Sequence, residues 1–94
     1  MFDMRIDADG RVVVSGRLDA SESERALEIL DGVKGPTVLD CSQLEYISSA
    51  GIAVIMQTYK RLLAAGHSLR LENLTPRVRN VFVYAGLDGL LGIR

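Results

Sequence analysis

The chain has no tryptophan, one cysteine, one histidine and two prolines, and its apolar residues never form a long run. The lone Cys41 excludes an internal disulfide and a multi-cysteine metal site, which fits a reducing compartment. The longest apolar stretches fall well short of the roughly 20 residues that a membrane helix needs. Met1 to Gly10 does not have the basic-then-apolar order of a secretory signal. The expectation is a cytoplasmic protein with no direct membrane contact. Eleven Lys and Arg against twelve Asp and Glu leave a formal charge of -1. No stretch concentrates cations as backbone binding to nucleic acid requires, so no nucleic acid is expected as a partner. A glycine-rich phosphate loop is missing as well, so ATP chemistry has to come from another protein, and neither a cofactor nor a metal is expected.

What is present is the apolar content of a folded domain, 48% of 94 residues. That length suits one domain, 1–94, and is too short for two. Met4 to Asp7 and Arg11 to Leu18 read as strands joined at Asp9-Gly10, a hairpin signal. In the second strand Val12, Val14, Gly16 and Leu18 share a face. Ser21, with Glu24 three residues on, has capping-box spacing and starts a helix over about 22–31 that Gly32 stops. Gly35-Pro36 leads into a short strand, Thr37 to Cys41. Ile52, Ile55, Met56, Tyr59, Leu62 and Leu63 then fall at helical spacing, giving a long helix from about 50 to Ala65 with Gly66 beyond it. Ser68 to Glu72 alternates as a strand. Thr75-Pro76 opens a helix whose stripe is Val78, Val81, Phe82 and Ala85, and Gly86 closes it. Leu90 to Ile93 reads as a last short strand. The order predicts an α/β fold, a single small domain with a mixed β-sheet and crossover helices.

"LEYISSAG", Leu44 to Gly51, places two serines ahead of the long helix. A serine at a helix start accepts a hydrogen bond from an unpartnered amide of the first turn. It also serves as a nucleophile when a base and oxyanion donors stand nearby, but the only histidine, His67, lies at the other end of the helix, roughly 24 Å away at 1.5 Å per residue. The stretch is not a G-x-S-x-G elbow either. The third use is as a phosphoacceptor: a phosphate beside the positive helix end is tolerated by the host fold and repels a partner packed over it. Gly51 has two readings, an opening for a partner's backbone or internal packing of the helix on the sheet.

Taken together, "GRLDAS", "VLDCSQLEYISSAGIAVI", "LRLENLTPRVRNVF" and "AGLDGLLGI" resemble, in this order, a STAS domain of the bacterial anti-sigma factor antagonist type over Gly16 to Ile93. The resemblance implies the STAS (anti-sigma antagonist-like) fold and phosphorylation of a serine in a D-S-S/T-G-type motif by a partner kinase that is also the anti-sigma factor. Ser49 matches the acceptor and Gly51 the glycine, while Ser48 stands where the acid is usual and Ala50 where the second Ser or Thr is. Ser48 is the secondary acceptor candidate. Asp19 and Ser21 match the loop that lies near the acceptor in related folds. The implied partner surface is Asp19, Ser21, Ser48, Ser49, Ala50, Gly51 and Ala53, and the implied partners are an anti-sigma factor serine kinase and a serine phosphatase that reverses the modification.

Asp40 is expected to stabilise a turn or accept from helix amides, and Cys41 to be a small buried side chain. The long helix shows Gln57, Lys60, Arg61 and Ala64 on its outer side, consistent with an interface border or a solvated face. Two rival functions remain at this level. One is a constitutive STAS assembly module, for example a transporter-system partner, in which Ser49 only caps. The other is a small serine-dependent enzyme.

Overall fold

The Asp7 carboxylate closes the first turn of the chain, accepting from the amides of Asp9 at 2.9 Å and Arg11 at 3.0 Å. Gly10 follows with φ +82, a left-handed conformation glycine adopts without a Cβ clash. In the computed structural model, which describes residues 1–93, this turn joins β1 (Asp3–Ile6) to β2 (Val12–Leu18) as an antiparallel pair. From β2 the chain crosses through α1 (Ser23–Asp31) to β3 (Thr37–Ile47), and from β3 through α2 (Ser49–Ala64) to β4 (Leu69–Glu72). Both crossovers produce parallel pairs, since a helix returns the chain to the same end of the sheet. The sheet order is β1-β2-β3-β4, and α3 (Pro76–Tyr84) follows the last strand. The mixed sheet with crossover helices is as the sequence predicted.

β3 corrects the short strand expected over Thr37 to Cys41: it is eleven residues long. Val13 pairs with Asp40 and Ser15 with Gln43, so Cys41 and Ser42 oppose Val14 alone. Gly16 pairs with Leu44 and Arg17 with Tyr46, which leaves Glu45 as a second extra residue. Each bulge inserts one residue and resets the alternation. Thr37, Leu39, Cys41, Leu44 and Ile47 therefore all face the core although their spacing changes from two to three. Asp40 pins the first bulge by accepting from the Ser42 amide at 3.1 Å, with Asn73 Nδ2 at 3.3 Å on the same oxygen. Its role is thus at a bulge within a strand rather than at a turn after one.

The buried strand residues lie on one face, where Met4, Val12, Val14, Leu18, Leu39, Leu44, Leu69 and Leu71 join Leu30, Ile55, Leu62, Val78 and Phe82 of the helices in one core cluster. The opposite face carries Arg11, Val13, Ser15, Val38, Arg70 and Glu72, none of them buried. Arg11 reaches across β3 to Glu72 at 3.0 Å on that face. The helices that complete the core are accordingly on a single face. Gly16 admits the amino-terminal residues to it: a Cβ there would lie 1.7 Å from the Met1 carbonyl oxygen.

Four further expectations are corrected. The first helix is preceded by a 3-10 turn, Ala20–Glu22, which Asp19 caps; α1 itself has Glu22 at its cap position with no side-chain cap bond, so Ser21 caps neither. A three-residue turn puts the Ser21 amide, not the Glu24 amide, within reach of a side-chain acceptor. In α2 the buried face includes Val54 and Thr58, while Leu63 is 58% exposed, and in α3 Ala85 lies past the helix end and is exposed. Leu90 to Ile93 forms turns, not a strand. Leu91 and Ile93 are nonetheless buried, because the hydrogen bonds Leu91 N to Leu87 O (3.1 Å) and Ile93 N to Asp88 O (2.8 Å) curl the segment back onto the core. Thr75 caps α3 as expected, accepting from the Val78 amide at 3.4 Å, with Pro76 at the first helical position.

Candidate functional site

The carboxyl ends of β2 and β3 meet at the pair Leu18 and Ile47, and the Ser48 amide donates to the Leu18 carbonyl at 2.9 Å just beyond it. This bond holds Ser48 in an extended conformation (φ -92, ψ 172), the geometry of a residue that has not yet entered the helix. Its hydroxyl oxygen accepts from the Gly51 amide at 3.2 Å, and its carbonyl accepts from the Ile52 amide at 2.9 Å. Ser48 is therefore the cap of α2, and the helix starts at Ser49, one residue earlier than expected.

Because Ser48 performs the capping, the Ser49 hydroxyl is free of that task. Ser49 is exposed, and Ala53 is exposed one turn further along. Ser48 and Ala50, on either side of Ser49, are half-buried. Gly51 is buried, and a Cβ there would come within 2.8 Å of the Leu18 carbonyl oxygen, Leu18 Cγ and Ile47 Cγ1. The close approach that Gly51 permits is to the chain's own β2 and β3, so it supports the site from behind and is not open to a partner.

Asp19 and Ser21 stand beside this helix start, since Asp19 directly follows the Leu18 carbonyl that holds Ser48. Asp19 Oδ1 accepts from the Ser21 amide at 3.1 Å and from the Ser21 hydroxyl at 2.7 Å, and the Asp19 carbonyl accepts from the Ser23 hydroxyl at 3.0 Å. The Ser21 hydroxyl, together with loop amides and the charge of Arg17, holds the Asp19 carboxyl below the usual carboxylate range. A fixed anion thus stands near the exposed Ser49. Ser21 belongs to the site as the residue that orients this carboxylate.

The sequence reading missed one pair, Arg17 and Tyr46. They are neighbours in the β2–β3 register, and the Arg17 guanidinium carbon lies 4.3 Å from the centre of the Tyr46 ring. Arg17 is exposed and Tyr46 half-buried, immediately before the Leu18–Ile47 pair. No local signal announces this contact, because it depends on the parallel register across a crossover.

The other candidates lie apart from this cluster. His67 follows Gly66 beyond the far end of α2, where its amide donates to the Leu62 carbonyl at 2.8 Å. Among the described residues no hydrogen bond joins the Ser49 hydroxyl to a carboxylate or an imidazole, so the geometry provides no positioned base for attack by this serine. Burial pushes the Cys41 thiol up to about 12, with a smaller contribution from the Asp40 charge, which keeps it protonated and unreactive. The Ser42 amide and Asn73 hold the Asp40 carboxyl below its ordinary value. Among the described residues no helix is long and apolar enough to cross a membrane.

The sequence and the fold are similar to those of known proteins. The chain is 39% identical over 75 residues to BtrV of Bordetella bronchiseptica, a candidate anti-sigma factor antagonist, covering 80% of this chain and 64% of that protein, just under two thirds. It is 30% identical over 88 residues to the anti-sigma-B factor antagonist of Bacillus subtilis, covering 90% of this chain and 81% of that one. The crystal structure of an anti-sigma factor antagonist from Mycobacterium paratuberculosis shares the fold, with a TM-score of 0.72 at 24% identity over 97% of this chain and 81% of that chain. The family described as "Mlab, STAS domain" matches residues 3–92, a span that takes in every strand and helix and the whole Ser48–Ser49 corner, and the chain belongs to the STAS domain family.

Proposed function

We propose that the chain is an anti-sigma factor antagonist that binds an anti-sigma factor serine kinase in the cytoplasm and is switched by phosphorylation of Ser49. The observation that carries this reading is the division of labour in the serine pair: Ser48 caps α2 and Ser49 stands exposed beside it. Two relatives bearing the anti-sigma factor antagonist name support the general role. In the unmodified state the partner covers Ser49 and Ala53 with the exposed edges of Ser48, Ala50, Asp19 and Ser21, while Gly51 lets α2 start close to the sheet.

Phosphorylation adds about 1.5 to 2 negative charges at a surface that already carries the Asp19 anion. Inside the monomer the phosphate is accommodated, because it lies at the positive end of α2. Under a partner's surface it has to be desolvated or repelled. A hundredfold loss of affinity corresponds to about 2.8 kcal/mol, within reach of such a clash. A serine phosphatase then restores the binding state.

The test incubates the protein with its kinase and ATP, maps the phosphate by peptide mass analysis, and compares partner affinity for wild type, Ser49→Ala and Ser49→Asp. The alanine variant is expected to bind without being modified, and the aspartate variant to bind more weakly. Equal affinities for all three would remove the switch and leave the constitutive assembly module as the better reading. Modification at Ser48 instead would move the acceptor by one residue.

A further inference from the structure

We propose that Arg17 is the residue that receives the phosphate on Ser49, leaving its stack on Tyr46 to do so. The inference rests on Ser49 as the phosphoacceptor. It adds a named charge partner within the same chain, so that the modified protein is a second defined arrangement of the site and not the first one with a charge attached.

The geometry starts from the register. Arg17 pairs with Tyr46 and Leu18 with Ile47, and Ser48 is tied to Leu18 by the 2.9 Å bond from its amide. Ser49 is three residues beyond Tyr46. At about 3.3 Å rise per residue and about 4.8 Å between strands, the Arg17 and Ser49 Cα atoms are roughly 11 Å apart. Arg17 and Tyr46 lie on the open face and α2 packs on the other, so an extended arginine and a phosphoserine together span that distance around the strand ends.

Arg17 is also available to make the move. It is exposed and interacts with the Asp19 charge only at longer range, and the ring 4.3 Å away anchors an exposed guanidinium only weakly. A phosphate offers two oxygens to the guanidinium fork in charge-assisted hydrogen bonds, which are stronger. The charged groups at this end of the molecule are Arg17 and Asp19 at the end of β2, with Glu22 and Arg25 lining the same cavity and Glu45 on β3; α2 brings none until Lys60, eleven residues further on. Arg25 is held by Asp3 at 3.9 Å and Glu22 at 3.8 Å, and among the described residues Arg17 is the cation of this set with no carboxylate at ion-pair distance. Asp19 is fixed by Ser21 and opposes the phosphate, so it drives the dianion toward the arginine and away from the Asp19–Ser21 loop.

This arrangement changes what the partner meets. Before modification the site shows a stacked Arg17 and Tyr46 beside a neutral serine. After it, the guanidinium is engaged and the Tyr46 ring is bared.

To test this, phosphoserine is incorporated directly at position 49 of the full chain, so no kinase takes part, and the phosphate is titrated by phosphorus NMR. An unconstrained phosphoserine has its second pKa near 6. Wild type is expected to titrate about half a unit or more below the Arg17→Gln variant, because a nearby cation favours the dianion. Arg17→Lys should keep much of that lowering, and Asp19→Asn should lower the value further. Phosphorylation should shift the Tyr46 ring signals in wild type and leave them unmoved in Arg17→Gln. Arg17 is exposed, so the glutamine variant is expected to fold, and an unchanged amide spectrum away from the site verifies it. Identical phosphate titrations for wild type and Arg17→Gln, or Tyr46 signals that ignore the phosphate, would overturn the proposal. Failure of a kinase to modify Ser49 would overturn the acceptor reading and leave this result standing on its own measurement.

Discussion

Replacing Gly51 with alanine separates two roles that a glycine at a helix start can have, internal packing and access for a partner. The added methyl would lie 2.8 Å from the Leu18 carbonyl oxygen, Leu18 Cγ and Ile47 Cγ1. Side chains can rotate away from such a contact, but the carbonyl oxygen belongs to the backbone. It also holds the Ser48 amide at 2.9 Å, so moving it disturbs the cap. Overpacking of this kind costs about 1 to 3 kcal/mol, and the opposing gain in helix propensity from glycine to alanine is about 1 kcal/mol at most. With the clash against a backbone atom at the upper part of that range, about 2 to 3 kcal/mol, the net expectation is a loss of roughly 1 to 2 kcal/mol, which at about 4 to 8 °C per kcal/mol lowers the Tm of a domain this size by roughly 4 to 16 °C. Thermal unfolding by circular dichroism, with a urea series for the free energy, measures it. At a temperature where the variant is folded, partner affinity should be close to wild type, since the buried position makes no contact outside the chain. An unchanged or higher Tm combined with lost binding would refute the packing argument and return Gly51 to the partner surface.

Other substitutions probe the cap, the acid loop and the carboxy-terminal turns. Ser48→Ala removes the acceptor for the Gly51 amide and should cost about 1 kcal/mol in urea unfolding, while Ser48→Asp should restore the cap and add a favourable charge at the helix start. Asp19 has a depressed carboxyl in the folded state, so the unfolded chain binds its proton first as pH falls: the contribution is complete above the ordinary carboxylate pKa and disappears as pH drops through the lowered folded value. Asp19→Asn should therefore flatten the acid side of the stability–pH profile, and a profile identical to wild type below about pH 4 would contradict the Ser21 interaction. Leu91→Ala should lose about 2 to 5 kcal/mol in the same assay, as a core leucine does, although the segment is neither helix nor strand. A loss below that range would mean that the terminal turns only cover the core.

The elements most legible in the sequence were those with local chemistry. Asp9-Gly10 specified the hairpin, Thr75-Pro76 the start of α3, and Gly32 and Gly66 the ends of α1 and α2, because a turn or a cap is decided within a few residues. β3 was read as half its length because its two bulges break the alternation at Ser42 and Glu45, and only the neighbour strand reveals that Leu44 and Ile47 still face inward. Leu90 to Ile93 looked like a strand because alternating apolar residues serve a tight turn on a core as well as a strand edge. Ser21 had capping-box spacing, yet Asp19 caps the turn before α1, since a 3-10 turn brings a different amide into range. Leu63 continued the helical stripe but lies outside the part of α2 that the sheet covers.

The candidate site divides in the same way. By itself the sequence determined that an α/β domain carries two serines at the start of its longest helix, with no second histidine and no phosphate loop to give them another chemistry, because residue types and their periodicity are local quantities. Which serine caps and which stands open, that Gly51 faces its own sheet, and that Arg17 lies on Tyr46 beside them were decided by tertiary structure alone. Those facts depend on the register of two parallel strands joined through a helix, and a register is fixed by the packing of the whole core and not by any stretch of chain within it.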